Sequence, residues 1–349
     1  MSEDNVIARL EEAIKLNKND RSSYVKLANL FIKNNDYFSA QKVFENYLTV
    51  SPDDFDVLQN LGTICFYKKA YLDAIKYFNS AIKLKPDNCT SYYNLGNVYA
   101  EIDSFQQAMD NYTKALELNE NYADVYNAIA YLYEDSNNLN AALNFCKKAL
   151  NIDSETAEYY TNYAGILQKL GKYKESLENY KKADILESNN AKTALSIATL
   201  YTQLKNYKKA EEYFNKALDI DNNYYSAYVC KAMAYLDNNL SQDAILLLKQ
   251  AIDIAPQKKE AYLSLAGILV SDKRYDEALD IYKILSKIMN DDVRILIFIA
   301  NTYALMNDKN NALEYYRRAV KHSPHNNEVK LIYLETINSF INDRMRTKE

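Results

Sequence analysis

Between Arg21 and Asn326 one 34-residue pattern recurs nine times with no residue inserted or lost. A chain written this way stacks like units on one another rather than closing a single core. The repeats begin at Arg21, Phe55, Cys89, Ala123, Ala157, Ala191, Tyr225, Lys259 and Val293. The eighth place is always small: Ala28, Gly62, Gly96, Ala130, Ala164, Ala198, Ala232, Ala266 and Ala300. So is the twentieth, with Ala40, Ala74, Ala108, Ala142, Ser176, Ala210, Ala244, Ala278 and Ala312. Because each repeat packs only on its neighbours, the 349 residues measure a number of repeats, not a number of globular domains.

The periodicity inside a repeat is helical. In the third, Tyr92, Leu95, Gly96 and Tyr99 share one helical face, and Phe105, Ala108, Tyr112 and Ala115 share one face of a second helix. The spacing predicts two amphipathic helices that meet where places eight and twenty carry almost no side chain. Large residues at places four, seven, eleven and twenty-four fill the space beside that contact. Pro52, Pro86, Pro256 and Pro324 all occupy place thirty-two, where one helix stops before the next begins. Asp53, Asp87, Asn189 and Asn223 follow at place thirty-three and are expected to supply turn and capping groups. Gly171 falls in the turn between the two helices of its repeat.

The run Tyr92-Tyr93-Asn94-Leu95-Gly96-Asn97-Val98-Tyr99, with Ala108, Tyr112, Ala115 and a turn before Tyr122, resembles the tetratricopeptide repeat family. The resemblance covers about nine tenths of the chain. It implies an all-α fold, an α-solenoid wound as a right-handed superhelix, whose first helices line a concave groove that holds peptides or helices of partner proteins. Place twenty-seven, small in the family, is Tyr47 in the first repeat and Leu285 in the eighth, where altered local packing is expected. Residues 1–20 read as an N-terminal half-repeat, with Val6, Leu10 and Ala13 at second-helix places; residues 21–326 are the nine repeats. Residues 327–349 read as a C-terminal capping helix and short tail, with Val329, Tyr333, Ile337 and Phe340 opposed by Lys330, Glu335, Asn338 and Asp343. The alternative for that stripe is a partner-binding or dimerising helix, and the sequence leaves oligomeric state open.

By the resemblance, places two, five, six, nine, twelve and thirteen line the groove. In the first half these places offer Asn29, Asn60, Asn94, Asn97, Asn127 and Asn162, partner-binding candidates because an amide can both donate to and accept from an extended backbone. Ala128, Ser196, Cys230, Ser264 and Phe298 interrupt the row at the sixth place. The later half turns apolar, with Leu195, Val229, Met233, Leu236, Leu263, Val270, Ile297 and Phe298; Met233 and Phe298 are the candidate anchors. The clamp that some family members use for the acidic tails of chaperones requires cations. The corresponding places, Val25, Asn29, Asn60, Thr90 and Asn94, have none, so no chaperone-tail carboxylate clamp is expected.

A net charge of -5 and a pI near 5.4 argue against nucleic acid as the ligand. The opening Met1-Ser2-Glu3-Asp4-Asn5 lacks the basic and apolar character of a secretory signal, and no stretch approaches the roughly 20 apolar residues of a membrane span. A cytoplasmic protein is expected, in keeping with four dispersed cysteines, Cys65, Cys89, Cys146 and Cys230, read as reduced structural thiols. With two histidines, His322 and His325, and no glycine-rich phosphate loop, no catalytic residue, metal or cofactor is assigned. Acid runs such as Glu211-Glu212 and Asp291-Asp292 read as solvated. The function expected is a non-enzymatic protein-protein interaction scaffold or adaptor. The alternative is an accessory or assembly subunit of a glycosyltransferase- or secretion-associated enzyme complex whose catalysis lies in another chain.

Overall fold

The computed structural model describes residues 3–325, 327, 330, 331 and 333–338. Helix α1 (Glu3–Leu16) precedes nine helix pairs. The first members, the A helices, are α2 (Arg21–Lys33), α4 (Phe55–Tyr67), α6 (Cys89–Glu101), α8 (Ala123–Asp135), α10 (Ala157–Lys169), α12 (Ala191–Gln203), α14 (Tyr225–Asp237), α16 (Lys259–Ser271) and α18 (Val293–Leu305). The second members, the B helices, are α3 (Tyr37–Leu48), α5 (Tyr71–Leu84), α7 (Phe105–Leu118), α9 (Leu139–Ile152), α11 (Tyr173–Leu186), α13 (Tyr207–Ile220), α15 (Ser241–Ile254), α17 (Tyr275–Ile288) and α19 (Lys309–His322). Every A helix begins at the first place of its repeat. The fold is an all-α solenoid, and no strand occurs among the described residues.

Each A helix stops by the same hydrogen-bonded device. In α4, the N–H of Lys69 donates to the Phe66 carbonyl and that of Ala70 to the Cys65 carbonyl, the paired bonds of a Schellman turn. The corresponding bonds recur from Asn35 and Asp36 on α2 to Asn307 and Asp308 on α18. Place fifteen holds a left-handed backbone in each repeat, at Asn35, Lys69, Asp103, Asn137, Gly171, Lys205, Asn239, Lys273 and Asn307. The next residue immediately precedes the B helix, and at Asp36, Asn138, Asn206 and Asp308 its side chain caps it. A turn this short folds the second helix back along the first.

Between repeats the capping falls one residue later than the sequence suggested. Asp54, Asn88 and Asn190, at place thirty-four, accept from the N–H groups of Val57, Ser91 and Thr193, whereas Asp53 and Asp87 stand exposed beside them. The Arg21 guanidinium adds an ion pair to Asp54 at 2.6 Å and holds its carboxyl below the usual carboxylate range. The reading of Asp291-Asp292 as solvated acids is also corrected. Asp291 accepts from the Ser286 hydroxyl and pairs with Arg318, both at 2.7 Å, while Asp292 caps α18.

The described residues fall into two compact units, one up to Leu186 and one from Glu187 onward. In the first, Phe44, Leu61, Phe78, Tyr112, Ile129, Cys146 and Ile166 are buried between successive helices. In the second, Leu248, Leu265, Leu285 and Ile299 belong to one long cluster that runs from Ala232. The small places do what their size allows. Alanines at eight and twenty are essentially buried throughout, and a Cβ on Gly62 or Gly96 would lie 2.6 or 2.5 Å from the Phe78 or Tyr112 ring. At Ser176 the hydroxyl donates to the carbonyl of Ala164, joining place twenty to place eight at 2.7 Å.

Cys65 and Cys146 are buried, and burial pushes their thiols up to about 11 and about 12. Tyr333 packs on Ala300, Ala312 and Tyr316, while Val329, Phe340 and Asp343 lie outside the described residues. No helix among the described residues is long and apolar enough to cross a membrane.

Candidate functional site

In the first compact unit the A helices bring side chains from places two, five, six, nine, twelve and thirteen of successive repeats into contact. Asn162 donates through Nδ2 to Asn127 Oδ1 at 2.9 Å, and Asn127 donates to Glu158 Oε1 at 3.3 Å. The Tyr131 hydroxyl donates to Asn162, and the Tyr112 hydroxyl to Asn97 at 2.7 Å. Asn94 donates to Gln59 Oε1 at 3.3 Å, and Gln59 donates in turn to the Ser91 hydroxyl. Asn29 is exposed and Asn60 half-buried, and neither joins these bonds. Asn127 is the deepest of the row at 5% exposure, so it is structural as well as surface-lining.

Over this network opens a cavity of about 380 Å³. Its walls are the rings of Phe66, Tyr93, Tyr112 and Tyr131 together with Ala100, Ala128 and Leu132; its polar lining is Asn97, Asn127 and the carboxylates of Glu101, Asp124, Asp135 and Glu158. No lysine, arginine or histidine lines it. Burial raises the hydroxyls of Tyr93 and Tyr131, the latter to about 12 with the Glu158 carboxylate adding to the effect, so both remain neutral donors at any physiological pH. Asp124 accepts from the hydroxyl of Tyr159 in the next repeat, and Glu101 from that of Tyr71 at 3.3 Å.

The sequence reading singled out the asparagines and passed over these acids and tyrosines. Glu101, Asp124, Asp135 and Glu158 lie in three repeats and form no run along the chain. They become a group only when thirteenth and second places of successive repeats are read as columns.

In the second compact unit the same face is more apolar, chiefly at its fifth places and at Met233 and Phe298. Met233 is 43% exposed and Phe298 40%, while Val229, Leu263 and Ile297 are half-buried against the core. Phe298 stacks on the Tyr282 ring, centroids 5.6 Å apart, which holds its outward edge in place. Leu195, counted with this group from its place in the repeat, is buried at 8%. Among the described residues no group of three or more His, Cys, Asp or Glu is placed to hold a metal ion.

Stacked helix pairs that seal their core through small residues and turn a varied face outward define a helical-repeat interaction scaffold. Tetratricopeptide repeat models match residues 90–122, 123–156, 157–190, 191–224, 235–302 and 293–326, and a TPR repeat model matches 62–103. The chain belongs to the tetratricopeptide repeat family. Among curated proteins none matches it. Among solved structures, a tetratricopeptide repeat protein from Parabacteroides merdae ATCC 43184 is similar with a TM-score of 0.53 at 19% identity, over 71% of this chain and 98% of that one. A chain of the APC/C hetero-tetramer Cut9-Hcn1 is similar with a TM-score of 0.58 at 16% identity, over 76% of this chain and 52% of that one. At these identities the likeness is one of fold.

Proposed function

We propose that this chain is a non-catalytic adaptor that holds a segment of a partner protein along its A-helix face. The amide, aromatic and acidic side chains of the first compact unit receive an extended stretch of chain, and Met233 and Phe298 of the second anchor apolar side chains. The observation that carries this reading is the exposure of Met233 and Phe298, joined by Leu305 at the thirteenth place of the ninth repeat, on the A-helix face of the second compact unit. An apolar side chain left in water on a folded surface gains free energy when a partner covers it, and full burial of a Met or Phe side chain is worth about 1.5–3 kcal/mol. The amides of Asn94 and Asn97 fit a role that reads backbone more than sequence, since each has both donor and acceptor groups.

Affinity capture from the native cell lysate tests the proposal, comparing wild type with Met233→Glu, Phe298→Glu at equal helicity. Charge on both anchors is expected to abolish retention of a stoichiometric partner. Retention of the same partners by a folded double variant would contradict the proposed anchoring.

A further inference from the structure

The cavity in the first compact unit has a chemistry more specific than a general peptide groove. Four carboxylates, those of Glu101, Asp124, Asp135 and Glu158, reach it from α6, α8 and α10 without any basic side chain in its lining. Elsewhere some acids and rings meet a cation of the chain itself: Lys169 pairs with Glu134 at 2.8 Å, Lys148 lies 4.9 Å over the Phe145 ring, and Lys258 lies 4.4 Å over Tyr225. Among the described residues no lysine or arginine covers Phe66, Tyr93 or Tyr131. Asn127, at 5% exposure, gives an amide hydrogen to Glu158 and takes one from Asn162, which fixes the amide and the Glu158 carboxylate at the cavity wall.

We infer that this cavity takes the side chain of a lysine or arginine carried by the partner segment, an assignment that rests on the proposed binding of an extended segment to the A-helix face. Aromatic rings attract a cation through their faces, and the four carboxylates, all on exposed residues at the rim, add a favourable potential that no basic side chain in the lining offsets. The carboxylates surround the cavity and do not converge on one point, and they fail the grouping that a metal ion requires. That spread suits an organic cation with an aliphatic stem, which the rings of Tyr93 and Tyr131 can line. At about 380 Å³ the cavity is at the small end of ligand pockets, which run from roughly 300 to 1,000 Å³. The neighbouring Asn97, from the ninth place of the third repeat, is positioned to meet the backbone that carries the side chain.

The test uses the full chain and pools of acetylated, amidated nonapeptides in which the central residue is fixed as Arg, Lys, Gln, norleucine or Glu and the others vary. Blocking both ends leaves the central residue as the fixed charge. The Arg and Lys pools are expected to bind about tenfold more tightly than the Gln and norleucine pools, and the difference is expected to shrink at high salt. Glu101→Gln with Asp135→Asn is expected to remove most of that preference without moving the melting midpoint, since Glu101 accepts only the long bond from Tyr71 and the exposed Asp135 carboxylate makes no hydrogen bond among the described residues. Tyr131→Leu, at a ring 43% exposed, is an independent second variant expected to weaken the Arg pool. Equal binding of all pools, binding of none, or a basic preference that survives both variants overturns the assignment. Equal binding of all pools overturns it while leaving the proposed groove function standing. Displacement of the Arg pool by spermidine at matched concentration overturns it in favour of a free polyamine.

Discussion

Lysine is poorly suited to a left-handed backbone, yet Lys69, Lys205 and Lys273 hold φ of 59°, 55° and 60°. For an L-residue with a Cβ that conformation costs roughly 1–2 kcal/mol, and the cost is met because the two Schellman bonds satisfy carbonyls that the end of the A helix would otherwise leave open. Asparagine at four of the equivalent places and glycine at Gly171 show the residues the turn prefers. Glycine loses more freedom on folding, which offsets part of the gain. Lys205→Gly is therefore expected to raise stability by about 0.5–1 kcal/mol, and the three lysine-to-glycine changes to add because they lie in separate repeats. Urea unfolding midpoints check this; a lower midpoint for Lys205→Gly would mean that the lysine side chain, not the turn, matters there. Only Gly171 announced this turn in the sequence. Asn, Asp and Lys fill the other equivalent places, and the left-handed turn they share is a backbone property that no single letter spells.

Helix pairing depends on the small places far more than on the turn. Ala232 on α14 is fully buried where α15 brings Ala244 and Leu248. Ala232→Leu is expected to force the pair apart at a cost of about 1–3 kcal/mol, read as a lowered thermal midpoint. An unchanged midpoint would show that the contact is not limiting. The two repeats that break the small pattern at place twenty-seven also break the regular exit from the B helix. Helix α3, with buried Tyr47, ends at Leu48, two places earlier in its repeat than α5, and α17, with buried Leu285, is followed by two left-handed residues, Asn290 and Asp291. The sequence located both departures. It did not show how the chain absorbs them, because that depends on how far a large side chain moves the end of its own helix and on partners such as Arg318, which reaches Asp291 from α19.

The A-helix face carries two chemistries, acidic and amide-rich in the first compact unit and more apolar in the second. Nearly the whole secondary structure could be read from period, small places and prolines, because nine copies of one pattern average out local ambiguity. The candidate face was legible only in part. Column reading found Asn97, Asn127, Met233 and Phe298, but it treated Leu195 like Met233 although one is buried and the other exposed. It also missed the carboxylates around Tyr131, whose grouping requires the spacing of adjacent A helices.

The most direct measurement is site-specific photo-crosslinking in native lysate, with a benzophenone amino acid placed in turn at Tyr131 and Met233 on A helices and at Leu72 and Ile185, 83% and 81% exposed, on B helices. Partner adducts are predicted from Tyr131 and Met233 and not from Leu72 or Ile185. Adducts confined to the B-helix positions would contradict the assignment of the A-helix face as the binding surface.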